Sequence, residues 1–266
     1  MEFNETNKQL RNCVKEWENT CFEPYMGAKY SDCDKEGYFS KNMEKMVSCP
    51  FYVGLTEDYL SSKATRVMVI GQEARHFGTW KDNRNDIGYN AAESQKWSIE
   101  YLLYQLKMPV KNSSFNISFN KSKFWHLFRT LKKNGYSVCW NNVDKVYYSR
   151  GNNEYKGVLT YTAEEHLSAQ YGGKSLLQRE IEICAPDIIL FVTGPKYYLS
   201  MEAAFGLPLN ETLKNKLNKN NKIVDITKYI KLNIPTYWTY HPANRIINSV
   251  QEFLDKISNY NELFEK

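Results

Sequence analysis

The sequence predicts an α/β fold: a three-layer α/β/α sandwich around a mainly parallel, four-stranded central sheet. Two observations favour this class. Four short apolar, often β-branched segments have the length of strands that are covered on both faces. Segments whose apolar residues recur at helical spacing separate these strands along the chain. The four predicted strands are 66–70, 136–140, 187–193 and 235–240.

The first half of the chain supplies two of these strands. Residues 1–60 are predicted to be an irregular N-terminal extension that contains an amphipathic helix at 7–20, and a short helix is expected at 55–62. Residues 66–70 (RVMVI) read as a doubly covered parallel strand that ends before Gly71. Helices are predicted at 91–107 and at 122–133, with Ser122 as the N-cap.

The second half supplies the other two strands. An amphipathic helix at 174–184 leads into 187–193 (DIILFVT), the clearest buried strand of the chain. A weaker strand is possible at 222–226, and the segment 235–240 (PTYWTY) is the last core strand before a helix at 244–258. Residues 149–173 form a polar insertion. We see no linker, so one domain spanning 1–266 is expected.

Composition and charge narrow the class of protein. The chain has 266 residues, 42% hydrophobic and 24% charged, which excludes a disordered tail, a fibre and a disulfide mini-protein. No apolar run approaches the roughly 18 residues of a membrane span, and no N-terminal signal core is present. We therefore expect a cytoplasmic protein, monomeric and without membrane contact. The net charge of +5 permits nucleic-acid contact without requiring it.

The cysteines predict no metal site. None of the six forms a C-x-x-C pair, and four of them fall in the first 50 residues at wide spacings. A zinc or iron–sulfur site built from those four is the alternative, but reduced, partly buried thiols fit better.

Polar groups follow the predicted strands. A carboxylate and amide follow the first strand at 71–78, two amides follow the second at 141–145, and an imidazole follows the last at 241–245. Ligands of such sheets bind beyond the carboxyl ends of the strands. Each group alone is ordinary for a turn or a loop. Their joint placement predicts a binding crevice.

These segments resemble motifs of the uracil-DNA glycosylase superfamily. Residues 71–76 (GQEARH) are similar to the Gly-Gln-Asp-Pro-Tyr-His motif of one branch, and 77–78 (FG) are similar to the single-strand-selective branch. Residues 142–145 (NVDK) look like the base-reading segment, and 241–245 (HPANR) like the last motif. The segment 175–194 also matches a family helix and strand. The resemblance spans about residues 65–250 and assigns no branch.

The resemblance implies roles for individual residues. Glu73 takes the place of the water-activating Asp, and His241 that of the donor to the departing base. Gln72 and Asn142 would read the base edge. Asn141 is the rival of Asn142, since side chains alternate along a strand and only one of the two can face the pocket. In the family's iron–sulfur branch a Cys follows this segment, whereas this chain has Val146, so no cofactor is expected.

Further roles concern stacking and DNA contact. An aromatic residue of the loop after the first motif is expected to stack on the base, and Phe77, Trp80 and Tyr89 are candidates, with Tyr89 preferred. Ordinary packing explains each of them equally well. The expected DNA-binding residues are Arg75, Ala243, Asn244 and Arg245. For Arg75 a solvated loop charge stays an alternative, and for Arg245 a surface charge beside a helix does.

The predicted function is that of a DNA glycosylase. It would hydrolyse the N-glycosidic bond of uracil or another deaminated or modified base by base flipping and water attack. Two alternatives stay open, because Glu73, Ala74 and Arg75 depart from the family motif. One is excision of a modified base in foreign DNA, and the other is a non-catalytic nucleic-acid or nucleotide reader on the same fold.

Overall fold

The computed structural model confirms the α/β class. It contains a mainly parallel sheet with helices packed on both faces. The structure describes residues 4–22, 50–73, 91–110, 113, 115, 117–146, 173–206, 223–242, 253–255 and 257.

The sheet has five strands in the described ranges, one more than predicted. They are β1 (Arg66–Glu73), β2 (Ser137–Asp144), β3 (Ile188–Phe191), β4 (Ile223–Asp225) and β5 (Thr236–Thr239). Their order is β2-β1-β3-β5-β4, and all neighbours are parallel except β4 and β5. The expected four-stranded sheet was therefore wrong. β4 gives a weak sequence signal because it is three residues long and runs from buried Ile223 to exposed Asp225 at the sheet edge.

Seven α-helices are described. They are α1 (Glu5–Trp17), α2 (Glu57–Ser61), α3 (Ala91–Gln105), α4 (Lys123–Lys133), α5 (Leu176–Cys184), α6 (Tyr198–Phe205) and α7 (Thr227–Ile230). A π-helical turn, Glu18–Phe22, continues α1, and residues 253–255 and 257 are also helical. Helix α5 begins with a capping box between Ser175 and Gln178. None of these helices combines the length and the apolar character needed to cross a membrane.

The pleat of β2 shows which helices cover which face of the sheet. Asn141 points to one face, where its Nδ2 donates to Glu180 of α5 at 3.1 Å. Trp140 points to the other, where its ring centroid lies 5.0 Å from Trp125 of α4 and 6.1 Å from Tyr101 of α3. Because successive side chains alternate between faces, α5 covers one face and α3 and α4 cover the other.

Strands β1 and β2 are longer than predicted. We expected them to end at residues 70 and 140, but they continue in register through Gly71, opposite Asn142, to Glu73, opposite Asp144. The continuation of β2 was not predicted because residues 141–144 are mostly polar, yet all eight residues of β2 are buried. Polar groups are tolerated there because the folded chain supplies partners that the local sequence does not reveal.

Helix α1 belongs to the core. Leu10, Val14 and Trp17 are fully buried, and Arg179 of α5 forms an ion pair with Glu16 at 3.1 Å. The residues between 23 and 49, where irregular structure was expected, lie outside the described ranges.

Candidate functional site

Four residues from separate elements meet where β1, β2 and β5 end; we call Gly71, Phe124, Asn142 and His241 the strand-end cluster. A β-carbon at Gly71 would lie 2.7 Å from Asn142 Oδ1 and 3.3 Å from two ring carbons of Phe124. The Phe124 ring is stacked on His241, with centroids 5.7 Å apart and an interplanar angle of 7°. Glycine at position 71 therefore provides the space in which the amide and the aromatic ring come together.

The amide of Asn142 is buried, and only one of its two polar atoms has a hydrogen-bond partner among the described residues. The residue is 2% exposed, and its Oδ1 accepts a hydrogen bond from Trp140 Nε1 at 3.1 Å. Its Nδ2 has no hydrogen-bond partner within the part of the chain that the structure describes. A buried donor without an acceptor costs about 1–3 kcal/mol. Such a group is a natural contact for a ligand that brings a carbonyl oxygen.

The neighbouring Asn141 faces the other way. Its Nδ2 donates to Glu180 Oε2 at 3.1 Å, and its Oδ1 accepts from Lys145 Nζ. These contacts lie on the α5 face of the sheet. Of the two candidate amides at the end of β2, the one in the strand-end cluster is therefore that of Asn142.

His241 reaches the cluster through the turn that follows β5. It is half-buried and precedes a buried Pro242. Gly194, which follows β3, passes close to its main chain: a β-carbon at Gly194 would lie 3.7 Å from the backbone nitrogen of His241, and Gly194 has a φ of +72°. The Gly194 N–H donates to Thr239 O at 3.3 Å. The segment that follows β3 is thus joined to the end of β5 beside the main chain of His241.

Two predicted residues lie at the end of β1. The Gln72 amide donates through Nε2 to Thr193 O at 2.8 Å, which ties β1 to the segment after β3. Glu73 is the last residue of β1 and lies opposite Asp144 in register. Asp144 is itself fully buried. The predicted catalytic position is therefore next to a second, buried carboxylic acid residue on the neighbouring strand.

The remaining predicted residues lie outside the described part of the chain. They are Arg75, Phe77, Trp80, Tyr89, Ala243, Asn244 and Arg245. Their roles stay predictions.

Phe124 is the residue that the sequence analysis missed. It lies in the first turn of α4, next to exposed Lys121, Ser122 and Lys123. Ser122 occupies the N-cap position, but its side chain makes no capping hydrogen bond. The positive end of the α4 dipole, flanked in sequence by Lys121 and Lys123, therefore lies next to Phe124 of the cluster.

A separate open groove of about 630 Å³ lies at the other end of the sheet. Its lining includes Asp225, Lys228, Tyr229 and Lys231. Ile226 donates to Thr236 O, so this groove is next to the start of β5 rather than its end. It is therefore distinct from the strand-end cluster.

The described residues contain no group of three His, Cys, Asp or Glu side chains that could hold a metal ion. Comparison of the sequence with protein-family models and with curated proteins gives no match.

Proposed function

We propose that this protein is a DNA glycosylase that hydrolyses the N-glycosidic bond of uracil or of another deaminated or modified base. One observation carries the proposal: the buried Asn142 amide, whose Nδ2 has no hydrogen-bond partner among the described residues, belongs with Phe124 and His241 to the strand-end cluster at the carboxyl ends of the strands. A base has carbonyl oxygens for an amide donor and a flat face for an aromatic ring. The motif resemblance supports the same assignment.

In the proposed reaction the base leaves with negative charge while the sugar becomes cation-like. Asn142 Nδ2 would donate to a base carbonyl and hold the flipped base. His241 would donate to the carbonyl on which charge develops, because a positioned donor acts where charge appears in the transition state. Glu73 would orient the water that attacks the sugar and would stabilise its positive charge.

The spacing of the rings constrains where a base would lie. Stacked rings need roughly 3.5 Å between each pair of planes, so a base sandwiched between two rings needs them about 7 Å apart. Phe124 and His241 have centroids only 5.7 Å apart. A flipped base would therefore lie beside this pair and contact the edge of His241.

Lys121 and Lys123 would face the DNA backbone, where their positive charges suit a polyanion.

A second candidate is a non-catalytic nucleic-acid or nucleotide reader. Two observations favour it. The Gln72 amide nitrogen already donates to Thr193 O rather than to a base, and the motif is altered at Glu73 and Ala74. An altered motif would also suit an unusual leaving base, including a modified base of foreign DNA.

The experiment that tests the proposal is a panel of single- and double-stranded oligonucleotides, each carrying one uracil, hypoxanthine, xanthine or substituted uracil. Alkaline cleavage after incubation reveals abasic sites. We expect strand breaks at one or more of these bases. Base-specific binding without strand breaks would instead support the non-catalytic reader. The absence of both binding and strand breaks would refute both candidate functions.

His241→Ala separates chemistry from binding. Loss of a donor to a developing charge lowers the single-turnover rate by about 10²–10³-fold, while the Kd for DNA changes little. His126→Ala is the matched control, because His126 is an exposed histidine of α4 that bonds Thr130 within its own helix. Equal losses of rate and affinity in His241→Ala would argue against the donor role.

A further inference from the structure

A buried ionic network lies under the end of β2. Lys145 and Glu180 are both fully buried, and Lys145 Nζ lies 2.5 Å from Glu180 Oε2. Asn141 bridges them: its Nδ2 donates to Glu180, and its Oδ1 accepts from Lys145 Nζ. Three side chains from β2, from the residue after β2 and from α5 are thus joined away from solvent.

Stability alone does not explain this network. Removing two charges from water costs several kcal/mol for each ion, and replacing a buried ion pair by apolar side chains is often neutral or stabilising. The presence of the network is therefore better explained by the groups that it holds in place than by a gain in stability.

The network reaches Asn142 by two routes. By the first route, Asn141 Oδ1 also accepts the backbone N–H of Asn142 at 2.7 Å, which fixes the peptide group. By the second, Lys145 Nζ lies 5.7 Å from the centre of the Phe51 ring, and Phe51 packs on Trp140 with centroids 4.6 Å apart. Trp140 Nε1 in turn donates to Asn142 Oδ1 at 3.1 Å.

The main chain reinforces the second route. The Phe51 N–H donates to Lys145 O at 2.7 Å. The backbone of Phe51, whose ring lies between Lys145 and Trp140, is therefore bonded to Lys145 as well. The Asn142 peptide is therefore held by Asn141, which bonds Lys145, and the Asn142 side-chain amide is held by Trp140, which is linked to Lys145 through Phe51.

We propose that Asn141, Lys145 and Glu180 are positioning residues that orient the Asn142 amide within the strand-end cluster. That this orientation serves base recognition rests on the proposed function. The orientation itself rests on the contacts of the network.

Two variants test the network. Asn141→Leu keeps the side-chain shape, leaves the ion pair and removes the acceptor of the Asn142 N–H. Lys145→Met/Glu180→Leu removes both charges together, so neither is left buried and unpaired. The matched control is Lys132→Met/Asp58→Leu, which removes a 2.6 Å ion pair beside Ser137 at the opposite end of β2.

The readout is the ¹H–¹⁵N spectrum and amide hydrogen exchange of the full chain. The Asn142 side-chain signals are assigned by their loss in Asn142→Asp. In each network variant we expect these signals to move, and exchange of the Asn142 backbone amide to accelerate at least tenfold, while that of Val138 is unchanged. The control should leave Asn142 as in the wild type. Unaccelerated exchange of the Asn142 backbone amide in folded Asn141→Leu would overturn the proposal, even if the double variant fails to fold.

Activity adds an independent measurement. If the wild type excises a base, Asn141→Leu should lower kcat at least tenfold with an unchanged Kd for undamaged DNA. A wild type that excises no base refutes the proposed function, whereas the spectra still decide whether the network positions Asn142.

Discussion

Substituting alanine for Gly71 tests the geometry of the strand-end cluster without assuming any activity. The added methyl group would lie 2.7 Å from Asn142 Oδ1 and 3.3 Å from two carbons of the Phe124 ring. Carbon and oxygen atoms do not approach to 2.7 Å without bonding, so the Asn142 amide must move. Its Oδ1 then loses the 3.1 Å hydrogen bond from Trp140 Nε1.

The size of the effect follows from these contacts. Overpacking a filled core costs about 1–3 kcal/mol, and a lost hydrogen bond adds about 1 kcal/mol. Alanine recovers about 0.4–1 kcal/mol by restricting the unfolded chain. We therefore expect Gly71→Ala to lower the free energy of unfolding by about 1–3 kcal/mol in urea titration, with an unchanged m value.

A double-mutant cycle makes the prediction specific. In an Asn142→Ala background the closest atom is absent, so the cost of Gly71→Ala should fall by about 1 kcal/mol or more. Gly135→Ala is the control, since a β-carbon there meets nothing within 4 Å and its cost arises from the φ of +86°. That cost should be equal in both backgrounds. Additivity of Gly71→Ala and Asn142→Ala within about 0.3 kcal/mol would refute the contact.

Three further predictions concern the proposed chemistry and the buried core. Glu73→Gln should slow single-turnover cleavage about 100-fold with little change in DNA affinity, and an unchanged rate would assign water activation to another group. Arg245→Ala should reduce cleavage of duplex DNA far more than of single strands if Arg245 fills the gap left by a flipped base; equal losses would identify a phosphate contact. Burial, and next the charge of Glu180, raises the pKa of the Cys13 thiol to about 12. Because the unfolded thiol ionises at lower pH, the stability that this raised pKa contributes is fully present below about pH 8 and is lost as pH rises towards 12. In urea titrations, the free energy of unfolding should therefore fall less between pH 8 and pH 10 for Cys13→Ala than for the wild type.

The sequence predicted the class of fold because strand and helix signals are local. The segments 66–70 and 187–193 are short, apolar and β-branched, and both correspond to central strands. The helix at 122–133 was predicted within one residue of α4. Its amphipathic spacing, however, gave no sign that Phe124 belongs to the site. Only the packing of α4 on β1 and β2 brings that ring beside Gly71 and His241.

The polar ends of β1 and β2 were harder to predict for a related reason. Asn141 and Asn142 resemble turn residues, since asparagine favours turns. They remain in the strand because Glu180, about 40 residues later, accepts from the Asn141 amide, and Trp140 donates to Asn142 Oδ1. Alternation along the strand indicated that only one amide faces the pocket. Which one it is depends on the register between β1 and β2, a tertiary property.

The contact between α1 and α5 has a consequence for biosynthesis. The buried side of α1, with Leu10, Val14 and Trp17, contacts residues around Leu55 and Gln95 but also a segment more than 150 residues later, as the Glu16–Arg179 ion pair shows. Until that later segment has left the ribosome, the nascent chain carries an apolar helix that is only partly covered. Such long-range closure slows folding and exposes intermediates to aggregation. Chains arrested before residue 176 should therefore depend on holdase chaperones, and release of α5 should end that dependence.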